Sequence, residues 1–108
     1  MIKVYIASPY TIGDVAVNVA TNLRMASDLI SLGYCPFAPL LSHFQHMMFP
    51  QEYEIWLNLD FEWIKVCDCL LRLEGESNGA DKEVEYAKSI KLPVFYSLEE
   101  LRSCLEMI

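Results

Sequence analysis

The stretch "DCLLRLEGESNGADKEVEYAKSIKLPVFYS", residues 68–97, holds the pattern that decides the fold. Its first six residues form a short apolar run, which is typical of a strand buried in a sheet. Residues 79–92 then predict a helix, and residues 93–97 predict another strand. Because a strand, a helix and a strand in succession form a right-handed parallel unit, this stretch predicts a parallel sheet.

Two further strands are predicted near the start of the chain. Residues 2–7, "IKVYIA", form an apolar run with β-branched residues, and residues 34–39, "YCPFAP", form a second run that Pro36 weakens. The helix predicted between them, over 13–33, would be capped by Asp14 at its start and by the glycine at its end. Its apolar residues at helical spacing are Ala16, Ala20, Leu23 and Ile30.

The rest of the chain predicts a loop and two helices. Residues 40–50 form a loop candidate, and residues 50–66 predict a helix with Pro50 near its first position. A last helix, over 98–106, would begin at a capping box that includes Ser97. The resulting β-α-β-α-β-α-β-α order predicts an α/β fold: a doubly wound, Rossmann-like or flavodoxin-like parallel sheet of about four to five strands with helices on both faces.

Composition limits the kind of protein. Residues 1–108 are expected to form one domain. Hydrophobic residues make up 54% of the chain, so part of the apolar surface is expected to be buried in a homodimer or larger homo-oligomer, as the segment "HFQHMMF" also suggests. The net charge of −7, with eight Lys and Arg and no basic stripe, argues against nucleic-acid binding.

Targeting and cysteine patterns favour a cytoplasmic protein. No apolar run approaches the length of about 18 residues that a membrane span needs, and the N-terminal segment predicts a strand rather than a signal peptide. Cys35, Cys67, Cys69 and Cys104 are expected to be reduced, buried thiols. Cys67 and Cys69 lack the partner pair that is typical of a zinc site.

The predicted topology also locates the functional edge of the sheet. In doubly wound sheets, ligands bind outside the carboxyl ends of the strands, where the strand order reverses. The loops at that edge would be 8–14, 39–50, 74–81 and the segment that starts at residue 96. The first three carry most of the unusual polar and aromatic residues, so we expect the site among them.

Glu83 is the first candidate catalytic residue. It follows the strand that ends at Leu73 and is expected in the first turn of the next helix, where free N–H groups and the helix dipole would keep its carboxylate ionised. Such a carboxylate suits attack on a developing cationic carbon, as in glycosidic bond cleavage. The alternative is a surface acid that only complements the dipole.

Asp60 is the second candidate. Its neighbours at three and four residues are Trp56, Leu57, Trp63 and Ile64, so this acid lies on or beside an apolar stripe of its helix. Desolvation there would raise its pKa and would suit it to donate a proton. The alternative is a boundary aspartate that bonds to neighbouring backbone.

Three other polar positions allow both a functional and a structural interpretation. Tyr5, near the end of the first strand, is either a site residue or a core tyrosine with its hydroxyl at the rim. His43 and His46 lack a nearby third ligand for a metal, so they are candidates for hydrogen bonding to a ligand or for loop packing. Asp68, at the amino end of the third strand, is expected to be structural.

These candidates belong to a wider pattern in the chain. It consists of "VYIASPYT", "FAPLLSHF", "YEIWLNLD" with "CDCLLRL", and "ESNGADKEVEYA" with "LPVFY". Together these segments, within residues 3–96, resemble the nucleoside 2-deoxyribosyltransferase-like superfamily, which includes nucleotide N-glycosidases and small families of the same pattern. The most specific element is S-x-G-x-x-x-E, from Ser77 to Glu83. The resemblance implies cleavage or transfer at the N-glycosidic bond of a (deoxy)nucleoside or nucleoside 5′-monophosphate through a covalent glutamyl-sugar intermediate.

The resemblance also implies roles for individual residues. Glu83 matches the nucleophile, Asp60 the acid that handles the proton of the departing base, and Tyr5 a tyrosine that orients the nucleophile. The turn at 8–12 matches the loop that covers the sugar or phosphate, and Ser77 matches a residue that contacts the sugar. The substrate-binding candidates, including His43 from its loop position, are Ser8, Pro9, Tyr10, His43, Ser77 and Gly79. No redox or metal cofactor is expected.

Several alternatives stay open at the level of the sequence. The transferases often carry an acid at the position of Ser77, and the phosphate-reading glycosidases carry an arginine in the first loop, whereas this chain has none before Arg24. The phosphate requirement and the choice between hydrolysis and transfer are therefore open. A non-catalytic nucleotide-binding or sensing protein would have the same pocket. Receiver domains and flavodoxins match the sheet but not the residues after its third and first strands, respectively.

Overall fold

A computed structural model describes residues 1–106 of the chain, and strands and helices alternate along it. The strands are β1 (Lys3–Ala7), β2 (Cys35–Phe37), β3 (Cys69–Arg72) and β4 (Val94–Phe95). The helices are α1 (Val15–Ser31), α2 (Ser42–Met48), α3 (Tyr53–Val66), α4 (Asn78–Ser89) and α5 (Leu98–Leu105), and a 3-10 turn over Pro39–Leu41 precedes α2.

The four strands form one parallel sheet in the order β2-β1-β3-β4. The predicted α/β fold class is confirmed. The chain leaves β1 for β2 on one side and then crosses to β3 on the other, so the strand order reverses between β1 and β3. A crevice forms at such a point because the two connections leave in opposite directions.

Helices cover both faces of this sheet. Alternate residues of a strand point to opposite faces. Val4, Ile6 and Leu71 therefore pack with α1 and α5, whereas Tyr5 and Leu70 pack with α3 and α4. The second cluster positions the site, since it fixes the ring of Tyr5 between the sheet and the two helices that carry acidic residues.

The prediction that residues 40–50 form a loop is wrong. The segment contains the end of the 3-10 turn and all of α2, and α3 begins at Tyr53 rather than at Pro50. A two-turn helix is too short to show a clear apolar period, and Pro50 separates it from the next helix.

The predicted caps of α1 are confirmed, but its predicted buried face is wrong. Asp14 accepts a hydrogen bond from the Val17 N–H at 3.1 Å, and Gly33 has a φ of +90° just beyond the helix. The buried residues are Val19, Asn22, Ala26 and Leu29, whereas Ile30 is exposed. Apolar periodicity did not predict this buried face because the face includes a polar residue, Asn22.

The outer strands are shorter than predicted. β2 is an edge strand, which explains why Pro36 is tolerated: its missing N–H removes no hydrogen bond to a central neighbour. β4 has two residues because the chain turns into the cap of α5, where the Ser97 side chain accepts from the Glu100 N–H at 3.0 Å. Asp68 has the expected structural role, since its carboxylate accepts from the Lys3 N–H at 2.7 Å.

Candidate functional site

A cavity of about 520 Å³ opens at the carboxyl edge of the sheet, beside β1 and β3. The loop after β1, the segment from Pro39 through α3, and the start of α4 form its wall. Topology alone predicted a site at this edge. Among the predicted site residues, the cavity is lined by Ser8, Tyr10, Asp60, Ser77, Gly79 and Glu83.

The three candidate catalytic side chains meet on the buried side of this cavity. The Tyr5 hydroxyl, on β1, donates a hydrogen bond of 2.5 Å to Oε2 of Glu83 on α4. Asp60, on α3, lines the same cavity and is close enough to both groups to affect their pKa values. Tyr5 is fully buried and Glu83 is 6% exposed. Three separate elements thus bring two carboxyl groups and a phenol to one side of the cavity.

Burial raises the pKa of all three groups. The pKa of Asp60 rises to about 6 through desolvation, which outweighs the opposing effects of Glu83 and Tyr5. The pKa of Glu83 rises well above its usual value through desolvation and then through the charge of Asp60, although Tyr5 and Arg72 act against this rise. Burial and the two nearby carboxylates also raise the pKa of Tyr5, so its hydroxyl stays a donor. Since two buried negative charges repel, loss of the second proton from the carboxyl pair is disfavoured, which favours a form in which the two groups share one proton.

The prediction that Glu83 is an ionised acid in the first turn of its helix is wrong. α4 begins at Asn78 with Ser77 as its cap, so Glu83 is in the second turn, beyond the free N–H groups. Burial dominates there, and the effect of the dipole is small. The predicted rise in the pKa of Asp60 is confirmed.

The raised pKa of Glu83 predicts that Glu83→Gln changes the stability of the fold. A carboxyl group whose pKa is higher in the folded state stabilises the fold below its unfolded pKa, and that contribution is lost as the pH rises through the folded pKa. The variant should therefore melt several degrees above the wild type at pH 8 and close to it at pH 4. Melting curves at the two pH values measure this, with the exposed Glu85→Gln as the control. A variant that melts below the wild type at pH 8 contradicts the buried, protonated pair.

Ser77 and Gly79 lie together at the start of α4. The Ser77 hydroxyl oxygen accepts from the Ala80 N–H at 3.1 Å, which leaves its own hydrogen available to a ligand. A Cβ atom at Gly79 would lie 3.5 Å from the Tyr53 hydroxyl, an ordinary contact. Space alone therefore does not require glycine at this position.

Two asparagines of α1 hold the loop after β1. Asn18 donates to the carbonyl groups of Tyr10 and Ile12 at 2.9 Å each, and the buried Asn22 donates to the Ser8 hydroxyl at 2.8 Å. Neither asparagine was predicted to take part in the site. Their spacing was an available signal, since asparagines four residues apart inside a helix are unfavourable unless their side chains bond to nearby groups.

Pro9 and His43 lie outside the cavity lining. Pro9 packs on Gly75, where an added Cβ atom would lie 2.7 Å from the proline Cγ and where a φ of +119° requires glycine. Pro9 thus joins the loops that follow β1 and β3. His43 forms a hydrogen bond of 2.6 Å between its Nδ1 and the Tyr10 hydroxyl, and Tyr10 is the residue of this pair that lines the cavity.

Arg72, at the end of β3, is a buried cation that the sequence pattern did not indicate as functional. It is 8% exposed, and its guanidinium donates to the Gly75 carbonyl at 2.8 Å, to Asp81 at 3.0 Å and to the Leu73 carbonyl. The arginine fixes the loop after β3 against α4, and its charge opposes the rise in the pKa of Glu83. The sequence did contain a signal for Arg72, because a charged residue in an otherwise apolar buried strand needs polar partners.

We expect Arg72→Met to lower the free energy of unfolding by roughly 2–4 kcal/mol, because it leaves the Leu73 and Gly75 carbonyls without their donor. Urea unfolding measures this loss. Arg102→Met is the matched control, since Arg102 pairs with Glu106 on the surface and should cost much less. Equal losses in both variants would contradict a structural role for the buried arginine.

An aromatic and polar wall from α2 and α3 completes the cavity. His46, Tyr53 and Trp56 line it, and Lys82 of α4 holds its ammonium 5.1 Å from the centre of the Tyr53 ring. Of these residues, only His46 was a ligand-binding candidate. The others lie together because α3 packs against α4, and His46 of α2 joins them through its hydrogen bond with Trp56.

The part of the chain that the structure describes contains neither a cluster of metal-ligating side chains nor a membrane-spanning helix. Within residues 1–106, no group of three or more His, Cys, Asp and Glu side chains is arranged to hold a metal ion. In the same residues, no helix has the length and apolar character needed to cross a membrane.

Comparison with known proteins gives a family and a related fold. Residues 2–97 match the model of a family described as a domain of unknown function (DUF7768). No curated protein matches the chain. Among solved structures, one from the characterization of a 2-deoxyribosyltransferase of the psychrotolerant bacterium Bacillus psychrosaccharolyticus has a TM-score of 0.58 and 22% identity, over 85% of this chain and 69% of that chain. At this identity the likeness shows a shared fold.

Proposed function

Because this chain belongs to the DUF7768 family and shares its fold with a 2-deoxyribosyltransferase, we propose that it acts on N-glycosidic bonds. The proposed reaction is cleavage or transfer at the N-glycosidic bond of a (deoxy)nucleoside or nucleoside 5′-monophosphate. The observation that carries this proposal is the hydrogen bond from Tyr5 to Glu83 at the wall of a cavity that Asp60 also lines. A carboxylate that attacks and an acid that protonates the leaving group are what a retaining glycosidic reaction requires.

The shared proton of the carboxyl pair suits both requirements of the first step. Tyr5 holds Oε2 of Glu83, which leaves Oε1 to attack the anomeric carbon. As the new carbon–oxygen bond forms, the bond from the sugar to the base breaks, and its electron pair goes to the base. The proton of the pair passes through Asp60 to the base, so the base leaves neutral. The sugar is then held as an ester of Glu83.

The second step returns the pair to its starting state. Water, or the nitrogen of a second base, attacks the anomeric carbon and breaks the ester bond to Glu83. The proton released by the attacking group goes back to the carboxyl pair through Asp60, which now acts as a base. Hydrolysis and transfer therefore use the same residues and differ only in the group that attacks.

Incubation with a panel of nucleosides and 5′-monophosphates, with and without an acceptor base, tests the proposal. Chromatography separates free base, free sugar and new nucleoside, so hydrolysis and transfer give different traces. Base release that Glu83→Gln abolishes supports the proposal. Binding that raises the melting temperature without release of any base would instead support the nucleotide-sensing alternative.

We propose a cytoplasmic location for this reaction. Cys35, Cys67, Cys69 and Cys104 are free thiols in the structure. Free thiols are typical of proteins in reducing compartments.

We also propose that the chain forms a homodimer or a larger homo-oligomer, with an interface partly formed by residues 39–66. Large apolar side chains are exposed along α2 and α3. They include Phe44, Met47, Met48, Phe49, Ile55, Leu59 and Trp63. Contiguous apolar surface of this kind is typical of protein–protein contacts.

Light scattering at micromolar concentration is expected to give the mass of a dimer or a larger assembly. Trp63→Glu places a charge in the proposed interface and should shift the protein toward the monomer. Val17→Glu is the matched control, because Val17 is an exposed apolar residue of α1 outside the 39–66 segment. A monodisperse wild-type monomer would overturn the proposed assembly.

A further inference from the structure

The ring of His46 is held in one tautomer by two donors. The Trp56 indole Nε1–H donates to Nδ1 of His46 at 2.8 Å, and the Gln51 backbone N–H donates to the same nitrogen at 3.3 Å. A ring nitrogen that accepts hydrogen bonds carries no proton. The neutral imidazole therefore carries its proton on Nε2.

This arrangement leaves His46 with one unused donor at the cavity wall. Within residues 1–106, both hydrogen bonds of His46 are made through Nδ1. His46 is half-buried and lines the cavity together with Trp56 and Gln51. His43, by contrast, uses its ring on Tyr10 and does not line the cavity.

The position of the His46 Nε2–H indicates contact with the base of a bound nucleoside rather than with its sugar. Trp56 and Asp60 are four residues apart on α3, so their side chains are neighbours on one face of the helix. Asp60 is the residue that delivers the proton to the departing base in the proposed reaction. A base within reach of Asp60 therefore lies beside the wall formed by Trp56 and His46.

We propose that His46 recognises the base by donating its Nε2–H to a carbonyl oxygen of the base. The cavity would then select bases that present an acceptor at that point. This inference rests on the proposed function for the identity of the ligand, but it concerns binding and can be measured without turnover. His46 is a specificity-determining residue in this assignment, and Trp56 fixes its tautomer.

Two variants separate recognition from structure. His46→Asn keeps an acceptor near the position of Nδ1, so it retains the bond from Trp56 but removes the Nε2–H. His46→Gln keeps an amide donor near the position of Nε2 but loses the acceptor for Trp56. If His46 has a purely structural role, His46→Asn should bind ligands more like the wild type than His46→Gln does. If His46 recognises the base, His46→Gln should be the variant that binds more like the wild type.

Matched ligand pairs provide the measurement. Inosine has a carbonyl group at C6 and a proton on N1, whereas purine riboside has neither. Deoxyuridine and its 4-deoxo analogue differ in the same way at C4 and N3, so within each pair only the first member offers a carbonyl oxygen at that position. We expect the wild type to favour the carbonyl member of at least one pair by about tenfold in Kd, the worth of one hydrogen bond. His46→Asn should remove this preference, His46→Gln should keep most of it, and kcat should change less than KM.

Calorimetry measures binding and chromatography measures base release, so each combination of results leads to a different conclusion. If the wild type binds selectively and only His46→Asn abolishes the preference, the inference is supported, even when the wild type releases no base. Such a lack of base release would overturn the proposed function but not the inference. Base release with an unchanged preference in His46→Asn overturns the inference and leaves the function standing. Absence of both binding and release overturns both. If His46→Asn does not fold, His46→Gln decides: a retained preference supports recognition, and a lost one overturns it.

Discussion

Glu83→Gln is expected to lower the turnover of nucleoside cleavage by at least about 1,000-fold, the largest effect that we predict for a single side chain. The amide oxygen of glutamine still accepts the hydrogen bond from the Tyr5 hydroxyl, so the shape of the site is kept. What is lost is the carboxylate that forms a bond to the anomeric carbon. Glutamine cannot form the ester with the sugar, so the first step fails even though Asp60 keeps its own carboxyl group.

Rate measurements on one substrate, with the base quantified by chromatography, check this expectation. Glu85→Gln is the matched control, since Glu85 is an exposed acid on the same helix and should keep wild-type turnover. A 2-fluoro-2-deoxy sugar with a good leaving base slows both steps and should accumulate the ester, seen as added mass on the peptide that contains Glu83. Wild-type turnover in Glu83→Gln would end the glycosidic proposal.

Asp60→Asn is expected to lower turnover by roughly 100–1,000-fold, the usual worth of a general acid. Asparagine is nearly the same shape but cannot give a carboxylic proton to the base. The loss should be largest for bases that leave poorly and smaller for bases that leave without protonation. Glu62→Gln, an exposed acid on the same helix, is the control and should have no effect.

The pH dependence of the wild type gives a second check on Asp60. Its pKa is raised to about 6 by burial, and the acid form that donates the proton exists below the pKa values of the pair. Turnover of poor leaving groups should therefore fall as the pH rises and the pair loses its shared proton. Asp60→Asn should lack this alkaline fall. Equal losses for good and poor leaving groups would indicate that Asp60 only positions the sugar.

Much of the fold was predictable because its signals lie within a few residues of each other. The apolar runs of β1 and β3, the acidic cap at Asp14 and the serine cap at Ser97 each depend on local spacing. Alternation of strands and helices then determined the parallel sheet and the edge at which the cavity opens. Spacing also indicated Asp60, since an acid among the tryptophans of one helix face is unusual.

Other features arose only when distant segments met. α2 was not predictable because a two-turn helix has no clear period, and the wall of His46 and Trp56 depends on the hydrogen bond that joins α2 to α3. Arg72 and Asn22 are buried polar residues whose partners lie in neighbouring loops, so apolar periodicity could not place them.

The protonation of the site shows most clearly what the sequence determined and what tertiary structure decided. The sequence by itself determined that Glu83 follows a buried strand on a helix at the functional edge. Only the tertiary structure placed Tyr5 against it and buried it near Asp60, which raises its pKa where local position alone predicted an ionised acid. Local sequence sets dihedral preferences and caps over three or four residues, whereas burial and charge are sums over every segment that packs around a group.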